Sequence, residues 1–70
     1  MANAEFAAKV AGWKATVDAL PEGPLSAADN ATALAVKNAM AVTGVPNDAS
    51  GEQETEYKAT FDAVCMKQGK

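Results

Sequence analysis

Large apolar side chains recur along this chain at helical intervals, and proline and glycine interrupt the pattern twice. Phe6, Val10, Trp13, Val17 and Leu20 follow one another at spacings of four, three, four and three residues. That rhythm lines up side chains on one face of an α-helix. Tyr57, Phe61, Val64 and Gln68 repeat four, three and four. Residues 26–43 behave differently. Leu34 with Ala27, Ala31 and Ala41 makes one apolar face, Val36 with Met40 and Ala33 makes a second, and Val42 with Ala35 lies on a further side. A helix that is apolar on several sides wants neighbours on several sides, so this segment is expected to be the central one.

The interruptions are PEGPL at 21–25 and TGVPNDASG at 43–51. Proline removes a backbone donor and glycine favours chain reversal, so both stretches read as helix breaks. Asn3, Ser26 and Ser50 stand where N-caps belong, and Asp29, three residues after Ser26, makes an imperfect capping box. Glu5, Glu52 and Glu54 lie near the positive ends of the first and third helix dipoles; Lys67 and Lys70 suit the negative end of the third. Gly44 ends the second helix, and Pro46 prevents its resumption.

The pattern therefore predicts an all-α protein, a three-helix antiparallel up-down-up bundle in one domain over residues 1–70, with helices over about 3–20, 26–43 and 51–68. Trp13, Val17, Leu34, Val36, Met40, Tyr57, Phe61 and Val64 are the expected core. Gly12, inside the first helix, costs about 1 kcal/mol relative to alanine, through tolerance or to admit a neighbour closely.

One octet occurs twice. WKATVDAL at 13–20 returns as YKATFDAV at 57–64, with five positions identical. Trp13, Val17 and Leu20 share a face, as do Tyr57, Phe61 and Val64, while the Lys14/Asp18 and Lys58/Asp62 pairs lie away from it. The repeat is an amphipathic pattern written twice. In an up-down-up bundle it places similar sequences in two parallel helices, both packed on the second.

Composition narrows the chemistry. The chain has 70 residues, of which 49% are hydrophobic, and alanine supplies seventeen of them, so the core is small and net stability of about 3–5 kcal/mol is normal at this size. A second copy or a partner would add burial. The net charge is −3, with six lysines, no arginine and no histidine. The missing arginine and the acidic balance argue against nucleic acid and against an anionic membrane surface. The missing histidine removes the commonest general base and metal ligand. There is no glycine-rich phosphate loop, and a serine nucleophile would have no histidine partner. No catalytic residue, metal or cofactor is therefore expected. Asp48, Glu52, Glu54 and Glu56 resemble a calcium loop only superficially, because Gln53 stands where the obligatory glycine would be. Cys65, the single cysteine, makes no internal disulfide and reads as a small buried apolar residue. The sequon Asn30-Ala31-Thr32 matters only in a secreted protein. With no signal peptide or spanning segment visible, the expected location is cytoplasmic.

Two functional expectations survive. The first is a small acidic protein-interaction module, an adaptor, inhibitor or subunit of a larger assembly of the kind viruses and phages also encode, that binds another protein or itself without catalysis. Its candidate partner-binding residues are Trp13, Tyr57, Glu52, Glu54 and Glu56. The alternative is a carrier of a small apolar ligand, a lipid or pigment, held between helices and lined by Met40, Met66 and Phe61, with a dimer supplying the volume.

Overall fold

The computed structural model describes residues 3–69. Within them the chain forms three helices and no strand: α1 over Ala4–Ala19, α2 over Ala27–Thr43 and α3 over Gly51–Gln68.

Each helix begins where a side chain satisfies the orphan backbone donors of its first turn. Asn3 accepts from the Phe6 amide, Ser26 from the Asp29 amide, and Ser50 from the Gln53 amide. At α3 the capping box is complete, because the Gln53 side chain accepts in return from the Ser50 amide at 3.0 Å. α2 stops at Gly44, whose φ of 65° lies in the left-handed region where glycine, lacking a Cβ, is unstrained. α1 stops for a different reason. The carbonyl of Val17 would accept from the amide of residue 21, but that residue is Pro21 and has no N–H. The Leu20 amide turns back to the Val17 carbonyl instead, at 3.1 Å.

Long-range hydrogen bonds establish the topology. Gln53 Nε2, at the start of α3, donates to the Asn3 carbonyl at the start of α1, at 3.0 Å. Lys67 Nζ, at the end of α3, donates to the Val17 and Leu20 carbonyls at the end of α1, at 2.7 and 2.8 Å. α1 and α3 are therefore parallel. The Tyr57 hydroxyl, early in α3, donates to the Met40 carbonyl late in α2, at 2.7 Å, which makes α2 antiparallel to both. The bundle is up-down-up.

The central helix is α3, not α2. α1 and α2 both pack extensively on α3 and touch each other much less. The core is Val17, Leu20, Ala33, Val36, Met40 and Val64, with Phe6 and Val10 buried further along α1. Of the expected core, Val17, Val36, Met40 and Val64 are buried, whereas Trp13, Tyr57 and Phe61 are half-buried against the cluster. Leu34 is not core: 45% of its surface is exposed. α2 offers two apolar faces but has one principal neighbour, so only the Ala33–Val36–Met40 face is covered. Ala33 succeeds there because its small side chain lets α2 approach closely.

The repeated octet occupies two unequal environments. Trp13 and Tyr57 are both half-buried, and Leu20 and Val64 are both buried. Thr60, however, is buried and Thr16 is only half-buried, since α3 is flanked on two sides and α1 mainly on one. Both threonines donate to the carbonyl four residues back, Thr16 to Gly12 and Thr60 to Glu56. Lys14 pairs with Asp18 at 2.8 Å, but Lys58 pairs with Glu54 at 3.1 Å. Glutamate placed four residues before lysine is the more favourable order along a helix dipole. A Cβ on Gly12 would meet nothing within 4 Å beyond its own helix, so no close neighbour requires glycine there.

Candidate interaction surfaces

The five residues expected to bind a partner do not form one patch. Trp13 and Tyr57 meet edge-to-face with centroids 6.3 Å apart, and Tyr57 also contacts Phe6 at 5.9 Å and stacks on Phe61 at 6.4 Å. Tyr57 thus links the aromatic rings into one row, and its hydroxyl is engaged by the Met40 carbonyl. This row fills the seam between α1 and α3 and ties it to α2. Glu52, Glu54 and Glu56 are exposed. Glu52 and Glu56, four residues apart, share a side of α3, while Glu54 lies on another side with Lys58.

A shallow groove of about 150 Å³ runs on the outer side of the α1–α3 seam, floored by Val17, Ala59 and Ala63 and rimmed by Lys14, Asp18 and Glu56. The Lys14–Asp18 hydrogen bond sets the electrostatics here. It holds the Asp18 carboxyl below its ordinary value and, with a smaller contribution from nearby Glu56, holds the Lys14 ammonium above its own. Two further surface depressions, of about 180 Å³ each, lie beside Phe6 and Pro46 and beside Tyr57 and Phe61. All three are smaller than the roughly 300–1,000 Å³ of a typical small-molecule site. The residues expected to line a carrier pocket do not converge: Met40 is wholly buried, and Met66 is 67% exposed.

Side-chain hydroxyls largely serve the backbone. Ser26 and Ser50 are N-caps, and Thr16, Thr32, Thr55 and Thr60 each donate to the carbonyl one turn back. Cys65 is a half-buried free thiol rather than a fully buried one. Among the described residues no cluster of three or more acidic or cysteine side chains is placed to hold a metal ion. No helix among them is long and apolar enough to cross a membrane.

The surface that sequence reasoning assigned to the interior is the outward face of α2. Ala27, Ala31, Leu34, Ala35, Asn38, Ala41 and Val42 project from it, all exposed, with Val42 at 88%. The apolar signal is present in the spacing of Leu34 from Ala27, Ala31 and Ala41. Only the packing of α2 shows that this face looks outward. The two charged residues of α2, Asp29 and Lys37, lie off it and are half-buried. α1 and α3 expose charges along their lengths instead: Glu5, Lys9, Lys14 and Asp18 on one, Glu52, Glu54, Glu56, Lys58 and Asp62 on the other.

Comparison with known proteins finds no match: no family, no curated protein and no solved structure is significantly similar to this chain.

Proposed function

We propose that this protein is an interaction module, which acts by presenting the outward face of α2 to another protein surface and performs no chemistry of its own. The observation that carries the reading is that face, a helix-long surface of alanines with exposed Leu34 and Val42, one amide at Asn38 and no charged side chain. Large exposed apolar patches on small proteins mark association surfaces. The engagement of serine and threonine hydroxyls in caps and helix turns, in a chain without histidine, fits binding rather than catalysis. A role as adaptor, inhibitor or assembly subunit is consistent with this surface.

The test is affinity capture from the source organism with the wild-type chain and with a Leu34→Glu/Val42→Glu variant side by side. A protein retained in stoichiometric amount by the wild type, lost by the variant and rebound from purified components supports the module. Identical eluates from the two baits, together with no self-association of the wild type, would refute it.

A further inference from the structure

We infer that residues 21–25 are a hinge on which α1 exchanges between copies of this chain, so that α1 of one copy docks on α3 of another and the two form a domain-swapped dimer. The seam of α3 is covered by α1 in either state, and only the chain that supplies it changes.

The first argument is where α1 is held. Phe6 and Trp13 contact Tyr57, the Asn3 carbonyl accepts from Gln53, and the Val17 and Leu20 carbonyls accept from Lys67. Asn3 also donates to Asp48, in the stretch before α3, at 2.9 Å. α1 touches α2, its neighbour in sequence, much less. α2 and α3 are joined separately, by the Tyr57–Met40 hydrogen bond and by the packing of Ala33, Val36 and Met40 with Val64. α1 can therefore leave without parting α2 from α3, and an α1 from a second copy re-forms every contact just named.

The second is the connection. α1 gives way at Leu20, which is extended with φ −70° and ψ 142°, and α2 begins after Ser26. Pro21 and Pro24 lie between them. Proline fixes its own φ and pushes the residue before it towards extended backbone. The chain nevertheless bends at residues 22–24, with Gly23, the residue before Pro24, at a φ of 89°. The closed connection thus depends on one left-handed glycine set against an extended preference. Opened out, residues 21–25 span roughly 16 Å, more than one helix diameter of about 10 Å. Short hinges under such constraint favour exchange of an element between copies.

The third is the balance between the two states. They contain the same contacts, so their difference lies in the hinge and in the local concentration of the tethered α1. A short tether supplies an effective concentration of about 1 mM. The wild type is therefore monomeric when dilute and exchanges as its concentration approaches that value. A change that strains only the closed hinge lowers the threshold. Each dimer carries two outward α2 faces; bivalent binding through them rests on the interaction-module reading, whereas the exchange itself does not.

Gly23→Val is the probe. A β-branched side chain is strained at positive φ but fits extended backbone, and a Cβ there meets nothing within 4 Å. Gly23→Asn is the control, since asparagine tolerates the left-handed region. Light scattering from about 10 µM to about 1 mM brackets the effective concentration of the tether. Gly23→Val should dimerise at a concentration at least about tenfold below the wild type, and Gly23→Asn within about threefold of it. The melting temperature of Gly23→Val should rise with concentration, because opening the hinge relieves its strain. In a dimer of mixed isotope-labelled and unlabelled chains, interchain NOEs should join Trp13 of one copy to Tyr57 of the other. Four outcomes would each overturn the exchange: Gly23→Val monomeric at about 1 mM, Gly23→Val unfolded at every concentration, equal dimerisation of Gly23→Asn, or interchain NOEs between α2 residues alone. The α2 face is decided separately by the capture comparison.

Discussion

Lys67 holds the end of a helix other than its own, and replacing it by methionine tests how the bundle is joined. Methionine keeps most of the apolar stem and removes the ammonium. The wild-type ammonium donates to the Val17 and Leu20 carbonyls at 2.7 and 2.8 Å. Val17 keeps the bond from the Leu20 amide, so the Leu20 carbonyl suffers the greater loss. Hydrogen bonds to charged groups contribute about 1.5–3 kcal/mol each. Lys67 is half-buried, so water replaces part of what is lost, and the freed side chain regains conformational entropy. The expected net cost is about 1–2 kcal/mol, or roughly 5–15 °C in Tm for a domain of this size.

The control is Lys58→Met. Its ammonium bridges Glu54 at 3.1 Å between side chains that are both well exposed, and such pairs contribute about 0–1 kcal/mol. Urea titration followed by helical circular dichroism at neutral pH compares the two. The Lys67→Met loss should also persist at about 1 M salt, where a surface ion pair is screened out. A midpoint for Lys67→Met indistinguishable from that of Lys58→Met would show that the contact between the ends of α1 and α3 contributes nothing to stability.

Met40→Ala removes a fully buried side chain and should cost about 2–5 kcal/mol, whereas Leu34→Ala, on the outward face, should cost less than about 1 kcal/mol in the monomer; equal losses in chemical denaturation would contradict the assignment of α2's inner face. Gly12→Ala should stabilise by about 0.5–1 kcal/mol, since the site is helical, exposed and open, and a lower melting temperature would reveal a constraint on that position. Gln53→Glu keeps an acceptor for the Ser50 amide but cannot donate to the Asn3 carbonyl, so it should cost about 0.5–1.5 kcal/mol, and loss of amide-exchange protection at the start of α1 would locate the effect. Asp18 titrates below its ordinary 3.8 because Lys14 hydrogen-bonds to it. Its contribution is therefore complete above that value and is lost as pH falls through the lower folded-state value, so Asp18→Asn should show a shallower stability loss than wild type as pH falls below 3.8. Parallel acid limbs for the two proteins would remove the Lys14–Asp18 pair from the account.

Helices, caps and breaks are legible in the local sequence because their causes are local. The four-three spacing, the cap residues Asn3, Ser26 and Ser50, and the glycine at 44 each act within one turn of chain. The capping box that Gln53 completes is also local, since the serine-to-glutamine spacing contains it. The assignment of α2's faces is not legible there. Leu34 and Met40 are both apolar residues on apolar faces of one helix, and nothing within α2 says which face will find a neighbour.

Lys67 shows the same division at a single side chain. Position alone assigns it to the dipole of α3, which a charge in the last turn of any helix would satisfy. Its hydrogen bonds to Val17 and Leu20 exist because Pro21 deprives α1 of a backbone donor and because α3 runs parallel beside it. Sequence alone determined where the helices lie, since propensity, capping and apolar period are properties of neighbouring residues. Tertiary packing decided that α3 is the centre, that Leu34 faces outward and that Tyr57 and Lys67 cross between helices, because those depend on distances between residues far apart in the chain.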